Sequence, residues 1–573
     1  MRERRQFVEG GFFRLMNSVK SKPKPILAQW LFPSIKDVFF LAFFLTPFLG
    51  SGSKALGDSD TGWHIRNGEQ ILRTMSLPRT DYFSYTAYGD PWFAWEWLAD
   101  VFMAVVHKYA GMNGIVLWAS TTFSLTFTLL FICTFRQGGN VLLCVLLSGL
   151  AGFAASIHWL ARPHLFTMLL LPLTVMILQR FEATGNRRWL WFLPPMFLVW
   201  TNLHGGFVAG VIVITIYALG HGLTRLTSKD EAARAGALQP AKEYAKIAAI
   251  CLAVTLLNPY GVHLYTHIYH SYVGSDFLLN RISEFRSPDF HIDVVKYFEF
   301  LILIVLVMAA ATYRRLSFVE IGLVVFWTHM ALVSARHIPL YVLMMTPILT
   351  RHWTGYVEAL STDDRLRPWV RRLVDPTKRY CANLGAMETQ FKGVVYPVVI
   401  VGLVLVISLN RGQLFGHTVL DKGFDKKVFP VNAANFIEQQ KIEGKLFSTD
   451  QWSGYLIYRF FPRYPVFFDG RSDMYGEDLM NEYLKLAYLE HDWRKVIEKY
   501  QFDWMVLPFN IPLPSLMKEL PGWRVVYDDH YAIVFVKSGK LNGWVQPMIC
   551  QHAAVGPKPA SCLLDDSEDG DHH

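Results

Sequence analysis

Charge is scarce in this sequence: Asp, Glu, Lys and Arg supply 18% of its 573 residues, against 52% hydrophobic and 15% aromatic side chains. A chain so poor in charge and so rich in apolar surface falls outside the ordinary soluble class, and no nucleic-acid partner is expected. Cysteine is scarce too. Of the six, Cys133, Cys144 and Cys251 lie within apolar runs, where plain packing accounts for them, so a disulfide framework is excluded and only Cys550 and Cys562 are placed to pair. A cleavable signal peptide is missing as well, because the first apolar run starts after about 36 residues and has no small-residue cleavage site.

What the sequence does hold is a series of apolar runs, among them Val38 to Leu49, Ile115 to Phe135, Ala245 to Leu257, Phe298 to Ala311 and Tyr396 to Leu409. A span needs roughly 20 mostly apolar residues. About eleven spans are expected, near 37–53, 114–135, 140–157, 164–180, 189–201, 205–223, 245–257, 297–312, 317–333, 338–350 and 394–409. Positive loops stay cytoplasmic. Arg2, Arg4, Arg5, Arg14, Lys20, Lys22 and Lys24 therefore put the N-terminus inside, together with Arg136, Arg187 and Arg188, the stretch from Arg225 to Lys246, Arg314 and Arg315, and the loop from Arg351 to Lys392. The odd number then sends everything after about residue 410 outside. The fold expected is an all-α polytopic membrane domain followed by an extracytoplasmic α/β domain. Residues 1–36 form a cytoplasmic segment, 37–410 the membrane domain with an outward loop at 54–113, 411–545 the α/β domain, and 546–573 a polar, disordered tail.

The inward loops are basic and plain, whereas the outward ones gather Asp, Glu, His, Arg and Asn. The first outward loop, GDSDTGWHIRNGEQILRTMSLPRTDYFSYTAYGDPWFAWEWLAD, carries Asp58, Asp60, His64, Glu69, Asp81, Asp90 and Glu96 against three Arg and no Lys. Its end, Glu96 to Tyr109, reads as an interfacial helix along the membrane. Four short outward turns follow at helix ends: ARPH (161–164), TNLHGG (201–206), NPYG (258–261) and SARH (334–337). Arg162 and Arg336 run against the positive-inside bias. An anionic phosphate partner explains them, since guanidinium offers a planar fork of donors; snorkelling to headgroups explains each one alone.

Asp58 and Asp60 share a face if the segment is extended. Two such carboxylates hold a hard cation, or one acts as general base for an incoming hydroxyl. The plain alternative is an N-cap for a helix starting near Thr61. His64 adds a metal ligand in one reading and a local hydrogen bond in the other. In the C-terminal region, KLFSTD, YPVFFDG, DWMVLPF, WRVVYDD and YAIVFVK read as strands, and Ala433 to Lys441 and Glu477 to Tyr500 as helices. Asp469, Arg471 and Asp473 in FFDGRSDMYG follow an apolar strand, where a turn calls for Asp and Gly in any case.

The run DTGWHIRNGEQIL, then PRTDYFSYTAYGDPWFAWEWLAD, RPH, NLHGGF, NPYG, EFRSP, WSGYLIYRFFP and FFDGRSDMYG resembles a group of bacterial polytopic proteins related to the GT-C glycosyltransferases, and the resemblance covers most of the chain. The WWxYG-type motif of oligosaccharyltransferases is absent. GT-C enzymes take a sugar from a polyprenyl-phosphate or polyprenyl-diphosphate carrier and attach it to an acceptor on the outer side. Their first outward loop holds an acidic catalytic residue. The resemblance thus implies a glycosyltransferase of the bacterial cytoplasmic membrane, with a polyprenyl-phosphate-linked sugar, the lipid bilayer, and an acceptor glycan, lipid or protein as partners. In the chemistry it implies, one carboxylate takes the acceptor proton while a stable lipid phosphate departs. Asp60 is assigned the base, with Asp58 as its alternate. Arg162 and Arg336 take the phosphate, helped by His164, His204 or His337; Asn202 joins them as a binding residue, and Glu96 or Glu284 binds sugar hydroxyls. A divalent metal, Mg or Mn, on Asp58, Asp60 and His64 is the cofactor such a site would use. A membrane transporter and a lipid-linked glycan ligase or polymerase are the rival readings. The inverted repeats of many transporters are not visible, and a passive scaffold needs no acidic outward loop.

Overall fold

The structure is a computed structural model that describes residues 25–49, 53–272, 274–312, 315–362, 368–440, 442–540 and 548–549. The basic N-terminal residues, Arg314, the end of the expected helix at Lys441, the Cys550 and Cys562 pair and most of the expected tail lie outside the described residues. Among the described residues, Cys133, Cys144, Cys251 and Cys381 are buried free thiols.

Six helices of the described chain are long and apolar enough to cross a membrane: Leu27–Phe48, Trp97–Arg136, Val141–His158, His164–Thr184, Phe207–Thr227 and Asp293–Thr312. A seventh crossing is available if the bent pair Pro376–Gln390 and Val395–Leu409 is one broken span. The chain is a multi-pass integral membrane protein. The remaining expected spans are helices that do not reach that combination of length and apolarity. Phe318–Val333 has 16 residues, about 24 Å at 1.5 Å per residue, short of the roughly 30 Å hydrocarbon core. Leu193–Leu203 has 11 residues after a 3₁₀ turn at Arg187–Phe192, and Glu231–Val254 opens with charged turns. Ile338–Thr362 outruns its expected end at 350 and includes Arg351 and His352. The basic stretch 351–392, expected as a loop, is largely helical, in Ile338–Thr362 and Pro368–Gln390.

The chain divides into two compact units, residues 1–47, 117–159 and 163–410 in the first and 48–116, 160–162 and 411–573 in the second. In the first unit the helix Ile35–Leu45 opens on a capping box. Ser34 N and Oγ both donate to Asp37 Oδ2 at 2.8 Å. Asp37 Oδ1 accepts from Val394 N at 2.6 Å, which ties this helix to the turn before Val395–Leu409.

The second unit joins the first loop to the C-terminal region. Its helix Asp60–Thr74 crosses the helix Asp450–Phe460 at glycine: a Cβ on Gly62 would overlap the Gly454 carbonyl, and one on Gly454 would overlap the Ser59 carbonyl. Arg66 Nε adds a bond to the Tyr458 carbonyl at 2.7 Å. A mixed five-stranded sheet runs in the order Leu446–Ser448, Trp504–Pro508, Ala532–Lys537, Trp523–Asp528, Met548–Ile549. The first pair is parallel, with Leu446 opposite Trp504. Trp504–Pro508 is buried along its whole length, the pattern of a strand covered on both faces. The expected α/β character of this region is therefore present.

Two expectations for this region fail. YPVFFDG does not join the sheet. Its backbone bonds go to the first loop, Val466 N to the Phe83 carbonyl at 3.0 Å and Tyr85 N to the Val466 carbonyl at 3.1 Å. The stretch from Glu477 to Tyr500 is two helices, Ser472–Ala487 and Trp493–Tyr500, because Leu489 and Asp492 turn left-handed between them. The expected interfacial helix is the first part of Trp97–Arg136, which breaks at Gly111 (φ 59°, ψ −157°); only glycine takes such a conformation without strain.

Candidate functional site

Asp58 and Asp60 stand at the start of the helix Asp60–Thr74, and Asp58 Oδ1 accepts the Asp60 amide at 2.8 Å. Helix-start duty thus falls to Asp58. The Asp60 carboxylate is left for another partner, Arg162: its Nη1 donates to Asp58 Oδ2 at 2.7 Å, and its Nη2 lies 2.9 Å from Asp60 Oδ2. The turn bearing Arg162 is pinned from both sides, by Ala161 N on the Ala55 carbonyl at 2.7 Å and by Thr61 Oγ1 on the Ala161 carbonyl at 3.1 Å. Gly470, from the FFDGR segment, lies directly against the Asp60 carboxylate.

Burial is the largest influence on Asp60, and the neighbouring Asp58 charge acts in the same direction. Arg162 opposes them, and Asp469 adds to them, so the carboxyl is pushed up from 3.8 to about 7. Asp469 is itself fully buried and bonded by Arg471 through Nε at 2.8 Å and Nη2 at 2.6 Å, and by Tyr475 Oη at 2.6 Å. Arg471 Nη1 reaches Asp81 Oδ1 at 2.7 Å. Asp81 caps the first-loop turn, accepting from Phe83 N at 3.1 Å and Ser84 N at 3.0 Å. The Arg471 guanidinium lies 4.6 Å from the Trp92 ring centre and 5.0 Å from that of Phe83, an aromatic enclosure suited to a delocalised cation. The FFDGR turn, weighed from sequence as an ordinary strand end, thus carries a buried ion cluster.

His64 is engaged by a different set of acids. Its Nδ1 is 2.5 Å from Asp100 Oδ1, its Nε2 is 3.8 Å from Glu96 Oε2, and Trp63 stacks on its ring at 3.6 Å. Asn67 Nδ2 donates to Asp100 Oδ2 and Tyr82 Oη to Asn67 Oδ1, each at 2.5 Å. Burial drives the imidazole down to about 3, so it is neutral. Asp58, Asp60 and His64 do not fit a metal ion as they stand: a guanidinium already bridges the two carboxylates, and His64 is spent on Asp100. Among the described residues no group of three or more His, Cys, Asp or Glu is disposed to hold a metal.

The other expected residues belong to the first unit. His164 Nε2 is 2.9 Å from the His158 carbonyl, and the two rings meet edge to face at 5.6 Å. The turns at 283–286 and 334–337 are joined by Ser334 Oγ on the Glu284 carbonyl and Ala335 N on the Arg286 carbonyl, both at 3.0 Å. Arg336 lies over the Phe285 ring at 5.1 Å, and the His337 Nδ1 is buried without a hydrogen bond. The structure therefore gathers Glu284, Arg336 and His337 in one place. His204 Nδ1 accepts from Gly206 N at 2.9 Å and bonds Thr167 Oγ1 at 2.8 Å, while Asn202 Nδ2 bonds the Leu198 and Leu257 carbonyls at 2.9 and 3.3 Å. Those contacts order helix ends. Sequence reading missed Asp100 and His158, named Asp81 only as one of the loop acids, and read Asp469 and Arg471 as part of a turn rather than as an ion pair. The one available signal was Asp100, an acid inside the apolar run WLADVFM.

No protein-family model and no curated protein matches the chain. Among solved structures it is similar to the Archaeoglobus fulgidus oligosaccharyltransferase tethered with an acceptor peptide, at 12% identity and a TM-score of 0.49, over 93% of this chain and 74% of that one. It is also similar to the oligosaccharyltransferase AglB of the same organism, in complex with an inhibitory peptide and a dolichol-phosphate, at 11% identity and a TM-score of 0.46 over 93% and 75%. A third is ArnT from Cupriavidus metallidurans bound to undecaprenyl phosphate, at 13% identity and a TM-score of 0.44 over 87% and 96%. Likeness at this level assigns neither family nor activity.

Proposed function

We propose that the chain is a membrane glycosyltransferase that moves a sugar from a polyprenyl-phosphate-linked donor to an acceptor at the outer membrane face. One observation carries the reading: the Asp60 carboxylate is buried and held by Arg162 Nη2 at 2.9 Å beside Asp58, and burial together with the Asp58 charge pushes its pKa up to about 7. A general base works best with a pKa near the operating pH. In the proposed step Asp60 takes the proton of the acceptor hydroxyl. The acceptor oxygen forms a bond to the anomeric carbon, and the bond from that carbon to the phosphate oxygen breaks. Its electron pair leaves with the polyprenyl phosphate, which needs no protonation to depart.

Arg162 is committed to carboxylates, so its proposed role moves from holding the phosphate to keeping Asp60 in place and limiting its rise in proton affinity. His164, Arg336 and His337 remain the proposed phosphate ligands, and Glu96 and Glu284 the proposed partners of sugar hydroxyls. Purification in native lipid nanodiscs followed by mass spectrometry of bound lipid tests the donor class. A polyprenyl phosphate or its glycosylated form is expected, with loss of the sugar when acceptor extract is added. Sugar uptake by proteoliposomes, with no such lipid bound and no transfer, would favour a transporter instead.

A further inference from the structure

Three residues separate Leu409, the end of the apolar helix Val395–Leu409, from a hairpin of Gln413–Leu414 with His417–Thr418. Its two-residue turn is Phe415–Gly416, with φ of 51° and 81°. A turn left-handed at both positions is normally filled by Asn-Gly or Gly-Gly, because a Cβ there crowds the backbone. Phenylalanine at the first position is therefore strained, and packing does not offset it. Phe415 is 91% exposed, the most exposed large hydrophobic side chain among the described residues. Strain retained at one position without packing points to a role outside the folded chain. Its surroundings say which. In the same stretch of chain Val419 and Val428 are also exposed, and it carries Arg411, His417, Lys422, Lys426 and Lys427 against Asp421 and Asp425.

We infer that the 413–418 hairpin anchors the second unit to the bilayer surface, with Phe415 entering the headgroup boundary and the neighbouring basic residues meeting anionic lipid phosphates. Aromatic tips with basic flanks are suited to that layer, and a hairpin so soon after an apolar helix meets it without a long tether.

The test uses the full chain in nanodiscs containing phosphatidylglycerol, in a background with Cys550→Ser and Cys562→Ser. A nitroxide is placed by Phe415→Cys, by Val419→Cys as a second hairpin site, and by Glu490→Cys as an aqueous reference; the unlabelled-site background corrects for the buried thiols. Collision with oxygen should exceed collision with an aqueous nickel chelate several-fold at 415, less so at 419, and not at 490. Equal aqueous access at 415 and 490 overturns the anchor. So does protection of 415 from both reagents, which would place it against protein or a second copy of the chain.

Discussion

Gly470 lies so close to Asp60 that any β-carbon at 470 would overlap the carboxylate. The C-terminal region and the first loop thereby share one geometry, and the catalytic reading of Asp60 depends on a residue about 410 positions later in the chain.

Gly470→Ala must therefore displace Asp60 or its Arg162 partner. Transfer should fall at least about tenfold, since misplacing a reacting group by 1 Å costs on the order of 10²-fold. Gly149→Ala, a position with open space around it, is the control and should transfer normally.

Asp58 and Arg162 act on Asp60 with opposite signs, so their variants should move the acid limb of the rate profile in opposite directions. Asp58→Asn removes a charge that raises the Asp60 pKa, and the limb should move to lower pH. Arg162→Gln removes one that lowers it, and the limb should move to higher pH. Shifts on the order of one unit are expected for close charges. Parallel shifts would show that another group sets the limb.

Stability carries the same signature. Because the folded pKa of Asp60 is raised from 3.8 to about 7, its contribution is fully present below pH 3.8 and is lost as pH rises through about 7. Asp60→Asn removes that loss. Its unfolding temperature should match wild type near pH 4 and exceed it increasingly towards pH 8, as followed by intrinsic fluorescence.

The cluster of Arg471 with Asp469 and Asp81 is buried, and removing one partner of a buried pair costs about 3–5 kcal/mol. Arg471→Met should lower the unfolding temperature markedly and expose the 464–476 segment to protease. Resistance equal to wild type would contradict the cluster's place in the fold.

A chelator should leave transfer within about twofold of its untreated rate, because the two carboxylates are already bridged by Arg162. Loss of transfer on chelation, restored by Mg or Mn, would return Asp58 and Asp60 to the role of metal ligands.

Much of this organisation was legible in the sequence because it rests on local signals. Apolar runs marked the crossing helices, and β-branched and aromatic runs marked most of the strands that form the C-terminal sheet. Asp58 and Asp60 stood out as acids beside an apolar run. Pairings across the chain were not legible. Nothing local distinguishes a Val466 that bonds the first loop from one in a sheet, or shows that Arg162 spends its fork on carboxylates. His64 stayed open between metal ligand and hydrogen-bond partner because Asp100, the group it bonds, lies 36 residues further along the chain.

Glycosyl transfer by purified Asp60→Asn, set beside wild type and Asp58→Asn, tests the central claim most directly. Asparagine keeps the size of the side chain and can still accept a hydrogen bond from Arg162, but it cannot take the acceptor proton. Loss of that role is typically worth about 10²- to 10⁴-fold in rate, and a loss in that range, with the folded fraction unchanged, is the expected result. Transfer by Asp60→Asn at the wild-type rate would contradict the account, and loss confined to Asp58→Asn would move the base by two residues.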